Sequence, residues 1–421
     1  MIVLLECLIL VVMGRLLFRN YTNPTVIFAG VWGVIFLVYE TNKYGMYAIR
    51  DQTYTIVGIS ILFFAIGAIM AQAIFKRRKL VFRQSRETYT YYFDYKLFYF
   101  LSITSLLIVI PDAIEAIKIL IMSGGKMGLV RERYSSGQGA LHFIGFSLYR
   151  NYIVKPFLTT VPAFFAYELL CGHKKKTVFW LSVALVALNI VASGGRIAIM
   201  YMVFHLLLLA IILKKKIVLQ RKTKRVILGV VLLAVAATIL VSIQRGTNDL
   251  RRMLAVYISG CVPLLDRYVN AMPIQPTTWF GLLLSKGYLV TIFTLLENLG
   301  FPYPKILAMV EPLLDFEQTV SIGTGVHMNA YVSLFCYFWM DSQYLGITMG
   351  MFIYGAICGY FYQRINDQNN QRSIIAYMIL AQGLVMSMVR FQFVLDSYAW
   401  SFVFIPLLFK KKVEERKSWR S

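Results

Sequence analysis

The chain has 421 residues, 58% of them aliphatic, aromatic or cysteine, and a mean hydropathy of +0.65. That is far above a soluble domain, so the sequence reads as a polytopic integral membrane protein with no separate soluble catalytic domain. The formal charge of +23 does not point to nucleic acid, because the basic residues gather at the ends of apolar runs, where membrane topology needs them.

A membrane-crossing helix takes about 20 mostly apolar residues. Runs near 2–18, 22–40, 54–75, 96–118, 151–171, 177–193, 197–213, 226–243, 344–363, 373–389 and 395–409 predict an all-α fold of about eleven (ten to thirteen) spans in one membrane domain, 1–421. The first run ends in Arg15 and Arg19 rather than in a small-residue cleavage site, so it reads as a retained span. The basic clusters at Lys76, His173, Lys214 with Arg221, and Lys410 then all fall on the cytoplasmic face, with the N-terminus outside and the C-terminus inside.

This topology leaves three outward segments: 119–150, the turn Ser193–Arg196, and the long stretch 244–346. The long stretch holds "TTWFGLLLSKGYLVTIFTLLENLG", which Lys286 and Glu297 interrupt and which Pro302, Pro304 and Pro312 follow. A helical cap on the non-cytoplasmic face is the reading for 244–346, since a crossing at 279–297 would need a second one, such as 327–340, to match it.

Arg131, Arg133, Arg150, Arg196, Arg245, Arg251, Arg252, Arg267 and Arg390 fall on the face that is normally poor in positive charge. Each either pairs with an acid of the fold or serves an anionic ligand. Within 119–150 Glu132 alone answers Lys126, Arg131, Arg133 and Arg150, and Arg196 has no acid nearby in sequence, so in those two segments the ligand reading is preferred. In the cap, Asp249, Asp266 and Asp315 are numerous enough to pair.

"GGKMGLVRERYSSGQGALHF" joins glycines to Lys126, Arg131, Arg133, Tyr134 and His142, a composition that suits a phosphate cradle, though a plain surface loop has it too. Arg196 in "VASGGRIAIMYM" sits at the interface, where it either works or snorkels to headgroup phosphates. "GTGVHMNAY" supplies His327 and Asn329, with Asp341 following in "DSQYLG". His173 lies in a basic cluster and His205 in mid-span, so His142 and His327 are the outward histidines. The five cysteines and the remaining ligand-type residues lack metal spacing, and neither metal nor cofactor is expected.

Two stretches carry a family resemblance. "LLFRNYTNPTVIFAGVWGVIFLVYE" and "HMNAYVSLFCYFWMDSQYLGITMGMFIYGAICGYFY" resemble the Wzy-type oligosaccharide repeat-unit polymerases, with Asp341, Ser342 and Gln343 standing where family members often have Asp-Phe-Gly. The resemblance implies a metal-independent glycosyltransferase of the bacterial cytoplasmic membrane, with a GT-C-like helical fold and an active site on the non-cytoplasmic side. Its substrate would be an undecaprenyl-pyrophosphate-linked oligosaccharide in the bilayer, with a chain-length regulator and a flippase as possible protein partners. On this reading His327, Asp341 and His142 are candidate bases. Arg131, Arg133, Arg196, Arg245 and Arg390 would hold the pyrophosphate, and Asn329 and Tyr134 the sugar. A ligase of the same superfamily shares the layout. A lipid-linked oligosaccharide flippase or other transporter would instead show repeated halves and charges inside its spans.

Overall fold

The computed structural model describes the chain except residues 42–43, 82–88, 136–139, 141–143, 172–174, 196, 214–228, 230–249, 272–280, 314–315, 317, 330, 366–370 and 414–421. Helices dominate. In chain order they are α1 (Ile2–Phe18), α2 (Pro24–Thr41), α3 (Asp51–Val81), α4 (Tyr95–Met122), α5 (Met127–Ser135), α6 (Ile144–Tyr149), α7 (Lys155–Leu170), α8 (Lys176–Ser193) and α9 (Ile197–Leu213). There follow α10 (Leu250–Ser259), α11 (Cys261–Ala271), α12 (Lys286–Asn298), α13 (Lys305–Leu313), α14 (Ser333–Leu345), α15 (Met351–Ile365), α16 (Gln371–Val385) and α17 (Asp396–Leu407). Strands β1 (Tyr89–Phe93) and β4 (Phe409–Val413) pair antiparallel, as do β2 (Val320–Gly323) and β3 (Val326–Met328).

Ten of the eleven apolar runs fall on described helices, and the run at 226–243 lies outside the described residues. Among the described residues six helical stretches are long and apolar enough to cross a membrane: Pro24–Thr41, Asp51–Phe75, Tyr95–Met122, Gly145–Leu170, Lys176–Ser193 and Ser333–Ile365. This is the architecture of a multi-pass membrane protein. The 344–363 run starts earlier than the sequence suggests, at Ser333, and its helix breaks at Ser342 and at Gln343, whose φ is +48°.

The chain forms two compact units. The first comprises Met1–Arg86, Thr247–Gln368 and Leu380–Leu395. At its centre α3 and α15 touch backbone to backbone. A methyl group at Gly67 would collide with the Phe352 carbonyl, at Gly355 with that of Phe64, and at Gly359 with that of Ala68. Small residues of this kind let membrane helices approach closely, where dispersion replaces the hydrophobic drive of water. Phe28, Trp32, Phe64 and Phe335 pack beside this pair, and the Trp32 indole donates to Ser387 Oγ at 3.0 Å.

At one end of this unit Asn23, just before α2, donates to Gln72 on α3. At the other end α11 and the β2–β3 turn are fastened to the loop between α2 and α3. Asp266 on α11 accepts from the Arg50 amide at 2.8 Å and from the Thr53 hydroxyl at 2.7 Å, which caps the start of α3. The sequence reading left Asp266 as a partner for cap arginines, but its Oδ1 takes these α3 donors and Asn270 Nδ2. The β2–β3 turn bonds the same loop through Thr324 N–H to Gly45 and Tyr47 N–H to Ile322.

The second unit comprises Glu87–Gly246, Asn369–Ile379 and Asp396–Ser421. Phe93, Phe98, Phe164 and Phe409 cluster where the β1–β4 ribbon meets α4 and α7. Asp94 caps α4 by accepting from the Lys96 and Leu97 amides and pairs with Lys410 at 2.7 Å. The Lys410 bond holds the Asp94 carboxyl below the usual carboxylate range, helped by the cap amides and opposed by burial. The same end collects Glu168, which accepts from the Tyr95 hydroxyl and the Lys175 amide.

Candidate functional site

In the second unit, the end opposite the ribbon holds a cluster of charged residues. Gly124 and Gly125, both at positive φ, turn the chain out of α4 and into α5, which carries Arg131, Arg133 and Tyr134 back over the helix ends. The Arg131 Nε donates to the Gly194 carbonyl at 3.0 Å, the last carbonyl beyond α8. That bond engages one guanidinium nitrogen, and no carboxylate lies within ion-pairing distance of Arg131 among the described residues. The Tyr134 hydroxyl donates to Asn189 at 3.2 Å, and burial pushes its phenol pKa up, so it stays a donor.

Arg133 and Arg150 are answered. Arg133 forms a salt bridge with Glu115, and Arg150 pairs through Nε with Asp112 at 2.8 Å, both partners of the latter pair being 4% exposed. This corrects the charge count for 119–150: the acids come from inside the apolar run of α4, one helical turn apart and beside Pro111, rather than from the loop. Asp112 also accepts from the Ala140 amide at 2.8 Å, so it ties the outward segment to α4 as well. Arg150 opens a π-helical turn, Arg150–Val154, which leads into Lys155 at the start of α7. The Arg150 guanidinium and the Lys155 ammonium both lie over the Tyr134 ring, at 5.1 and 5.2 Å from its centroid. Asp112, Glu115 and Lys155 are the residues the sequence reading passed over, and the acid pair in an otherwise apolar run was the signal for them.

The remaining candidates that the structure describes lie in the first unit. Asp341 is buried at the break of α14 and accepts three bonds: from Gly281 N–H at 2.7 Å, Leu283 N–H at 3.1 Å and the Ser342 hydroxyl at 2.8 Å. Both of its oxygens accept from donors, and the two amides belong to the turn leading into α12. His327 stands exposed on β3, between the buried Val326 and Met328, and Asn329 is exposed next to it. Arg390 is half-buried after α16, within electrostatic reach of Tyr337, with no carboxylate in ion-pairing distance among the described residues. His142, Arg196 and Arg245 lie outside the described residues. No group of acids, histidines and cysteines among the described residues has the arrangement of a metal site.

Among known proteins, no family model, no curated protein and no solved structure matches the chain.

Proposed function

We propose that the chain is a membrane glycosyltransferase that joins lipid-linked oligosaccharide repeat units on the non-cytoplasmic face of the bacterial cytoplasmic membrane, in the manner of the Wzy-type polymerases it resembles. In the reaction, the bond from the growing glycan's anomeric carbon to undecaprenyl pyrophosphate breaks as a bond forms to a hydroxyl of the next repeat. The hydroxyl proton passes to a base, and the pyrophosphate departs as an anion. A fixed guanidinium stabilises that developing charge at little reorganisation cost.

The observation that carries this reading is Arg131. Its Nε is bonded to Gly194 while its terminal fork has no acid partner among the described residues, at the end of a unit built from apolar helices. Arg133 and Arg150 serve instead to hold the segment that presents it. Of the three candidate bases, His327 is exposed and so available for proton transfer, while Asp341 is engaged with backbone donors.

A second reading is favoured by one feature. Asp112 and Arg150 place a buried ion pair among the membrane helices, which a transporter or flippase for the same lipid-linked substrate would also show. The two are separated by incubating the purified, reconstituted protein with a defined lipid-linked repeat. A ladder of extended products is expected for the polymerase, and movement of unextended repeat across the vesicle wall for the transporter. A single transfer to a different acceptor would indicate a ligase.

A further inference from the structure

Helices α12 and α13 of the first unit are too short to cross a bilayer, yet they are dressed for lipid. Thirteen residues of α12 reach about 20 Å, against about 30 Å of hydrocarbon. One side of α12 packs inward through Gly287 and Thr291, with Gly287 pressed on the backbone of Phe393 and Leu395. The adjoining side turns out Ile292, Leu295 and Leu299, spaced by three and four residues so that they form one stripe. Gly300, at a φ of +91°, reverses the chain, and Pro302 and Pro304 stiffen the tip. Phe301 crowns the turn, and α13 continues the pattern with Ile306 and Met309. Leu299 is 74% exposed, Phe301 58% and Met309 63%.

A cap standing in water would bury such residues or replace them. The spans of the same unit already expose aliphatic side chains of this kind, such as Leu37, Leu62 and Ile353, so a leaflet lies alongside this unit. Glu297 and Lys305, both exposed, flank the tip on either side and limit its depth, since charges are costly in the hydrocarbon but at ease among headgroups.

We propose that α12, its turn and α13 form a monotopic hairpin that lies in the boundary between headgroups and acyl chains. Leu299, Phe301 and Met309 sit among the acyl chains, and Glu297 and Lys305 sit at the level of the headgroups. The 244–346 segment is then partly embedded, which holds the turn ordered by Asp341 at the membrane surface. The inference rests on length, exposure and charge placement and is independent of the glycosyltransferase reading.

The test places a nitroxide label on Leu299→Cys, Phe301→Cys and Met309→Cys variants of the full chain carrying Cys171→Ser, in phosphatidylcholine vesicles. Leu37→Cys serves as the lipid-facing reference and Thr324→Cys, on the exposed β2–β3 turn, as the aqueous one. Labels at the three hairpin positions should be relaxed by oxygen as strongly as at Leu37→Cys and should lose the access to a water-soluble nickel chelate seen at Thr324→Cys. Nickel access equal to that of Thr324→Cys at positions 299 and 301 overturns the proposal. Spin–spin broadening that disappears on dilution with unlabelled chain also overturns it, because the occupant would then be a second copy.

Discussion

At the residue scale the arginines of 119–150 divide by what holds them. Lysine keeps the charge but not the planar fork, so Arg131→Lys should lose one transition-state contact, worth about 3 kcal/mol or roughly a hundredfold in rate. Arg133→Lys keeps its bond to Glu115 and should extend chains at close to the unaltered rate. The length distribution of products from a defined lipid-linked repeat reads both, and equal activity of the two variants would remove Arg131 from the pyrophosphate site. The buried Asp112–Arg150 pair gives a stability prediction. Asp112→Ala removes the acid partner of a guanidinium that is 4% exposed and should cost about 3–5 kcal/mol. The double variant Asp112→Leu with Arg150→Met should recover most of that loss, as followed by thermal unfolding in detergent. These roles were only partly legible beforehand. Asp112 and Glu115 were visible as acids, but an apolar run counted for its length absorbed them. The partners of Asp341 come from 58 and 60 residues earlier in the chain, a distance that no local pattern encodes.

At the scale of elements, the long helices were readable because a bilayer imposes both length and apolarity on any segment that crosses it. Their interruptions were not. The sequence reading starts a span beside each, at 151 and at 344, whereas the helical stretch runs back through a π-helical turn at Arg150 and through the break at Gln343. The glycines of the α3–α15 contact give a sharp test. Gly355→Ala puts a methyl group into the Phe64 carbonyl, and since both sides of the collision are backbone, the helices must separate. A loss of about 1–3 kcal/mol or more is expected in detergent unfolding, whereas Gly30→Ala on α2 meets nothing within 4 Å and should be silent. The β1–β4 ribbon responds to pH. The carboxyl of Asp94 is lowered in the folded chain, so its contribution is present above the ordinary carboxylate range and fades as pH falls through the lowered value. Lys410 is raised by the same bond, so its contribution is present below the ordinary lysine range and fades as pH rises through the raised value. Protease cutting at the C-terminal lysines should therefore be slow and flat across neutral pH and should speed up only at acid or strongly alkaline extremes. Asp94→Asn should remove the acid limb of that profile.

At the scale of the whole molecule, each unit has polar bonds at two ends. The Lys410 tail, the start of α4, the end of α7 and the start of α8 meet at one end of the second unit, and α5 with the end of α8 lies at the other. If the segments carrying Arg131 and His327 share the non-cytoplasmic face, Gln138→Cys and Gln318→Cys in a chain without other cysteines should react with an impermeant thiol reagent in intact cells. Labelling that waits for lysis would reverse the topology and remove the functional proposal with it.

The ribbon also governs the order in which the chain can be assembled. β1 leaves the ribosome more than 300 residues before β4, and in that interval its hydrogen-bonding edge lacks its partner strand and Phe93 lacks its contact with Phe409. The second unit thus stays unfinished until β4 has been made. An insertion machinery that releases helices one by one into lipid must keep this unit open until then. Any nascent chain that stalls after Leu407 would present the quality-control proteases with an unpaired strand and an uncapped aromatic cluster.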